Sequence, residues 1–267
     1  MAAGLPASGA RAKPAGMVEA SYTRIFDRSG AVQRPARALM VREMLDYMAP
    51  ADTAGAADAV AAAPRGDGHP VLVLPALLKS DRSTEFLRRR LEELGYEASN
   101  WGLGTNIGPT DRALDGSEAR LRALHQRHFR RVSLIGHSMG GLIAREIAKR
   151  APGAVRQVIT LCSPIQPPIA ANVELLFRLF SPWHSARLPA LWADLPTPPP
   201  VPATAIYTRT DGVVSWQSCR DVAGPERENI EVTGCHTTMA RNPGALAIIA
   251  DRLALPEGAW QPYARNI

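Results

Sequence analysis

The five residues Gly136-His137-Ser138-Met139-Gly140 constrain this chain more than any other segment, because of what stands on either side of them. The apolar run Val132-Ser133-Leu134-Ile135 leads in as a strand. Leu142, Ile143, Ile147 and Ala148 lead out at helical spacing until Pro152 forbids continuation. A strand that turns sharply into a helix, with small residues on both sides of a serine, lets the two elements approach closely. It also lifts the serine hydroxyl above the sheet edge in a left-handed conformation. The helix start beneath it, with unpaired N–H groups and the positive end of the dipole, favours negative charge nearby.

The rest of the chain fits around that unit. Short apolar runs at 71–74, 97–101, 132–135, 158–162, 203–207 and 230–232 read as strands. Helical patterns fall between them at 84–94, 117–128 and 141–150, with a last one at 244–255. This alternation predicts an α/β class, a mainly parallel sheet of about six strands with helices on both faces. Upstream, 32–48 places Leu39, Met40, Met44, Leu45 and Met48 on one apolar helix face, after a stretch to about residue 20 that is expected to be flexible. Residues 49–68 fall to Ala, Asp, Gly and Pro and read as a linker. The expected organisation is a helical extension and linker over 1–66 and a catalytic domain over 67–267, with an insertion at 163–201 too long to be a structureless loop.

Composition removes several function classes. At 267 residues, 46% apolar and 21% charged, the chain is long enough for one α/β domain with a substantial core. A net charge of +6 invites a nucleic-acid partner, but Arg88, Arg89 and Arg90 alternate with Leu87, Leu91 and Leu94 as the wet face of an amphipathic helix. No zinc-finger spacing or RNA-binding sheet motif accompanies them, so no nucleic acid is expected. Gly102-Leu103-Gly104 lacks the third glycine of a dinucleotide fingerprint, and no P-loop is present. Cys162, Cys219 and Cys235 form no C-x-x-C pair, which points to a reducing, cytoplasmic setting; a Cys219–Cys235 bridge is the alternative for an exported protein. No run approaches the ~20 apolar residues of a membrane span, leaving at most peripheral membrane contact.

A serine hydroxyl needs a histidine to take its proton, and the histidine needs a carboxylate to fix its tautomer. For this strand–serine–helix turn the chain order is serine, acid, histidine, each leaving a strand's carboxyl end. Asp211 follows the strand at 203–207 and precedes Gly212, while His236 leaves the strand at 230–232, so the catalytic set reads Ser138, Asp211 and His236. His69, His125, His128 and His184 lie on the wrong segments, and Asp221 and Asp194 are weaker rivals for the acid. Cys235 is a poor rival nucleophile, because adjacent residues do not aim at each other. The oxyanion hole is expected from the backbone N–H of Met139 and, by position, of Leu77 in the loop after the first core strand.

The segments Val71-Leu72-Val73-Leu74-Pro75, Trp101-Gly102-Leu103-Gly104, Gly136-His137-Ser138-Met139-Gly140-Gly141 and Thr210-Asp211-Gly212-Val213-Val214 resemble the bacterial esterase/lipase branch of the α/β-hydrolase superfamily. That branch is also similar to GPI-inositol deacylases and small triacylglycerol lipases, and the likeness covers roughly residues 70–260. The resemblance implies the α/β-hydrolase fold, a small-molecule or lipid ester as substrate, and neither cofactor nor metal. It places the same roles on Ser138, Asp211 and His236. One departure stands out: Pro75-Ala76 occupies the turn where many relatives carry His-Gly. The insertion reads either as a lid, its helix at 173–180 supplying Leu176, Phe177 and Phe180 to a substrate pocket together with Leu78, or as a segment whose apolar residues pack on the core. Acyl transfer or thioester cleavage by the same triad, and a non-catalytic binding protein on this fold, stand as alternatives.

Overall fold

In the computed structural model, residues 25–26 and 29–264 are described, so the N-terminal stretch expected to be flexible lies outside them. Six strands, β1 (Pro70–Leu74), β2 (Glu97–Asn100), β3 (Val132–His137), β4 (Val155–Leu161), β5 (Ala203–Tyr207) and β6 (Arg227–Glu231), form one sheet in the order β2-β1-β3-β4-β5-β6. Every pairing is parallel. The helices are α1 (Arg37–Met48), α2 (Thr53–Ala62), α3 (Glu85–Glu93), α4 (Asp111–His128), α5 (Met139–Arg150), α6 (Glu174–Leu179), α7 (Leu188–Asp194) and α8 (Pro243–Ala254).

Side-chain alternation along β1 divides the core. Leu72 and Leu74 point into a cluster with Leu121 and Leu124 of α4 and Ile143 and Ile147 of α5. Val71 and Val73 point into a second cluster, with Leu87 and Leu91 of α3 and Ile248 and Ile249 of α8. Both faces of the sheet are thus covered by helices, the arrangement a central parallel strand needs. The arginine run behaves as a solvated face: Arg89 pairs with Glu85 and Arg90 with Glu93 outside the buried Leu87 and Leu91. The edge strand β6 carries Arg227, Glu228 and Glu231, charges that discourage pairing with another chain.

Three segments differ from the expectations. Residues 53–62, read as linker, form α2; Asp52 caps it by accepting the Gly55 N–H at 2.8 Å, and Ala56 is fully buried. Within the insertion a second helix, α7, follows α6, its Pro189 standing in the first turn, where the missing N–H costs nothing. In α1 the apolar face is only partly covered: Leu39 and Met40 are half-buried, Leu45 is 63% and Met48 77% exposed, and the helix's buried residue is Glu43.

The strand order reverses between β1 and β3, and the segments that follow their carboxyl ends flank that switch point, the usual site for a ligand in an open α/β sheet.

Candidate active site

The turn after β3 has the geometry its composition predicts. Ser138 takes φ 52°, ψ −117° at the start of α5, and its N–H is fixed by the Leu161 carbonyl at 2.8 Å. Gly140 cannot be larger, since an added Cβ would meet the Leu74 carbonyl oxygen at 2.4 Å. Ser138 is 8% exposed and lines a cavity of about 650 Å³, within the usual range for small-molecule sites.

Asp211 leaves β5 and is almost wholly buried. Its Oδ1 accepts the N–H groups of Val213 and Val214, each at 2.8 Å, which orients the carboxylate. Its Oδ2 lies 2.8 Å from His236 Nδ1. With Nδ1–H bonded to the carboxylate, the lone pair of the neutral ring sits on Nε2. His236 lines the same cavity as Ser138. Burial works against the imidazolium of His236, but the charge and hydrogen bond of Asp211, with Glu43 adding to them, hold its pKa above the ordinary histidine value.

His137, inside the elbow, also lines the cavity but is engaged with backbone: Nε2 donates to the His236 carbonyl at 2.8 Å. Burial, then the charge of His236, pushes its pKa down to about 3, so it stays neutral as a strut. Cys162 stands behind the acid; it, Asp211 and His236 bring ligand-type atoms within 4.8 Å of one another. Burial and Asp211 push its thiol pKa well up, making Cys162 a neutral hydrogen-bond donor to the carboxylate.

The rival residues are otherwise engaged. Asp221 is paired with Arg145 at 2.5 Å and Asp194 with Lys149 at 2.8 Å. His69 bridges Asp67 and Ser133, His125 bonds the Arg130 carbonyl, and His184 bonds the Ile107 carbonyl. All three cysteines are free and buried, so Cys219 and Cys235 are not bridged; Cys235 instead donates to Asp46 at 2.6 Å.

Met139 and Leu77 both line the cavity beside Ser138. The Leu77 loop is latched by Asn106, a fully buried residue with no distinguishing mark in the sequence. Its Nδ2 donates to the Pro75 carbonyl at 2.7 Å, its carbonyl accepts the Leu78 N–H at 2.7 Å, and its N–H donates to Lys79. Leu78, at φ 58°, shows how sharply the loop turns.

Of the expected pocket residues, Leu78, Leu176 and Phe177 line the cavity. Phe180 is not among the lining residues: α6 ends at Leu179, helical periodicity stops there, and the Phe180 ring stands 6.1 Å from Trp183 instead. The insertion also supplies Ile169 and Trp192, so it forms one wall. Helix α1 adds Met40, Met44 and Tyr47 to the lining. The apolar spacing of α1 was visible in sequence; that it faces a cavity was not.

Similarity to known proteins bears on the fold. Residues 119–188 match a family described as the PGAP1-like alpha/beta domain. A search of curated proteins finds no match. Among solved structures, the mature form of the Bacillus licheniformis lipase BlEst2 superposes with TM-score 0.51 at 15% identity, over 67% of this chain and 89% of that one. MGS-MChE2, an α/β hydrolase enzyme from a lagoon-sediment metagenome, gives TM-score 0.50 at 17% identity over 69% and 90%. A structure from work on the metagenome-derived lipolytic enzymes LipS and LipT gives 0.50 at 17% over 67% and 89%. At these identities the likeness is one of fold: the chain has the α/β-hydrolase fold, with a mainly parallel six-stranded sheet. No helix among the described residues is long and apolar enough to cross a membrane.

Proposed function

We propose that the protein is a serine hydrolase that cleaves carboxylic esters through an acyl-enzyme on Ser138. The observation that carries this reading is the 2.8 Å contact between Asp211 Oδ2 and His236 Nδ1, in a cavity that the strained Ser138 also faces. The carboxylate sets the tautomer, so Nε2 is the nitrogen left to accept the serine proton. Ser138 Oγ then bonds the acyl carbon, and the oxyanion that forms is met by backbone N–H groups, Met139 after the nucleophile and Leu77 in the facing loop. His236 returns the proton to the departing alcohol oxygen, which leaves as the C–O bond breaks. Water repeats the sequence: His236 takes its proton, hydroxide bonds the acyl carbon, and Ser138 recovers its hydrogen as the acid departs.

The cavity walls favour an ester with an apolar acyl part. Leu176, Phe177, Met40 and Met44 line it, and the insertion at 163–201 acts as the covering wall that shelters the chain from water. The oxyanion hole uses Pro75-Ala76 in place of a His-Gly turn, and Asn106 supplies the latch that orders this loop. The test is turnover of p-nitrophenyl esters of graded acyl length by wild type, Ser138→Ala and His236→Ala. The reading expects activity in the wild type, strongest above the shortest chains, and none above background in either folded variant. Full activity in either variant removes that residue from the mechanism. Product analysis with an added alcohol separates hydrolysis from acyl transfer.

A further inference from the structure

We infer that Glu43 of α1 is a positioning residue for the hydrolytic centre, fastening the loop that bears the acid to the loop that bears the base. The inference rests on the reading of Ser138, Asp211 and His236 given above. Glu43 is 1% exposed, and both carboxylate oxygens are occupied. Oε1 accepts the Gly212 N–H at 3.0 Å and the His236 N–H at 2.7 Å. Oε2 accepts the Thr237 N–H at 2.8 Å and the Thr237 hydroxyl at 2.7 Å. One carboxylate thus holds the residue that follows Asp211 and the residue that carries the imidazole.

The neighbours are shaped for this. A Cβ on Gly212 would lie 2.5 Å from the Leu39 carbonyl carbon and 2.8 Å from Glu43 Cγ, so glycine is what lets α1 reach the acid loop. The backbone of His236 is then held at both ends, its N–H by Glu43 and its carbonyl by His137. Four donors converge on the side chain, and only a carboxylate presents acceptors alone at both positions. A plain anchor for α1 does not need this. Cys235 already bonds Asp46, and Arg241 bonds the Asp46 and Tyr47 carbonyls at 2.6 and 3.0 Å, on parts of the helix away from the acid loop.

Glu43→Gln tests the assignment, since it keeps the shape and turns one acceptor into an N–H donor facing N–H donors. The groups facing His236 are Asp211 from the loop after β5, His137 from β3, Cys162 at the end of β4 and Glu43 itself. Only the last changes. Loss of alignment predicts kcat lower by about 10- to 100-fold with KM within about twofold. The acid limb of kcat/KM moves to lower pH, because a negative charge supporting the imidazolium is gone, and the low-field proton resonance of His236 Nδ1–H shifts or broadens. Asp46→Asn weakens a separate anchor of α1 and leaves kcat and KM close to wild type.

Unchanged kcat, acid limb and proton resonance in Glu43→Gln, with only a lower melting temperature, overturn the assignment, as does an equal loss of kcat in Asp46→Asn. If Glu43→Gln does not fold, Thr237→Val, which deletes one of the four donors, is to show the same signature at smaller size; no change there overturns it equally. Failure of the hydrolase reading is separate, because it shows as a wild type without turnover, while the proton resonance still reports on Glu43.

Discussion

At Ser138 the backbone holds a positive φ that a residue with a Cβ adopts only under strain, on the order of 1–2 kcal/mol. Removing the side chain therefore separates stability from chemistry. Ser138→Gly is expected to abolish turnover and to unfold at higher denaturant than Ser138→Ala by about 1 kcal/mol, read from paired urea titrations. Equal stabilities would show that the turn carries no strain. At His236 the sign of the pH effect follows from its raised pKa. In the proposed mechanism the neutral ring is the working form, so kcat/KM is expected to fall as pH drops through a value above the ordinary ~6.5. A plateau extending below that value would mean that Asp211 and Glu43 do not act on the ring as described. That Asp211 would meet His236 beside Ser138 was legible in sequence, because each residue follows the carboxyl end of a strand, where local pattern and chain order suffice. Glu43 was not, because its partners Gly212, His236 and Thr237 lie 169, 193 and 194 residues away and a lone glutamate among apolar neighbours reads as solvent-facing.

Among the elements, the loop after β1 depends on a residue outside it. Asn106→Ala removes the donor to the Pro75 carbonyl and, if Leu77 is the donor proposed above, is expected to lower kcat by about 10-fold or more as its loop loosens. It should also cost about 1–3 kcal/mol of stability, the penalty of an unpaired buried carbonyl. Wild-type kcat in a measurably destabilised Asn106→Ala would separate the latch from the oxyanion hole. In α6, Phe177 packs its ring 5.9 Å from Phe26 and 6.0 Å from Trp192. Phe177→Ala opens the cavity wall, so the acyl-length optimum is expected to move to longer chains, at a stability cost of about 3 kcal/mol. An unchanged length profile would mean that the acyl group lies elsewhere. The strands were readable because each has an apolar stretch, Val71–Leu74 in β1, Leu134-Ile135 in β3 and Val158-Ile159 in β4, and these three strands are buried along their whole length. Helix α2 was not, although its alanines favour a helix, because Gly55 and the flanking Pro50 and Pro64 read as linker and no apolar periodicity marks a face; its Asp52 cap and its packing on α8 hold it. Helix α7 was hidden by Pro189, which reads as a breaker unless its place in the first turn is known.

For the whole molecule, two of the buried histidines bear on the response to acid. Burial pushes His69 down to about 4 and His137 to about 3. An unfolded chain binds protons at both sites below about pH 6.5 while the folded one does not, so their contribution to stability is complete above that pH and lost as pH falls. His236, raised, works oppositely, but only between the ordinary value and its own. The melting temperature is expected to fall from pH 6.5 to 4.5, and a flat profile would contradict the burial of these rings. The proposed role of strained Ser138 as the nucleophile of a working centre shows in covalent trapping. After a fluorophosphonate probe, the intact mass of the wild type should rise by one adduct, mapped by peptide sequencing to Ser138 and slowed by His236→Ala. A folded wild type that gains no adduct, or gains one elsewhere with Ser138 unmodified, would contradict it.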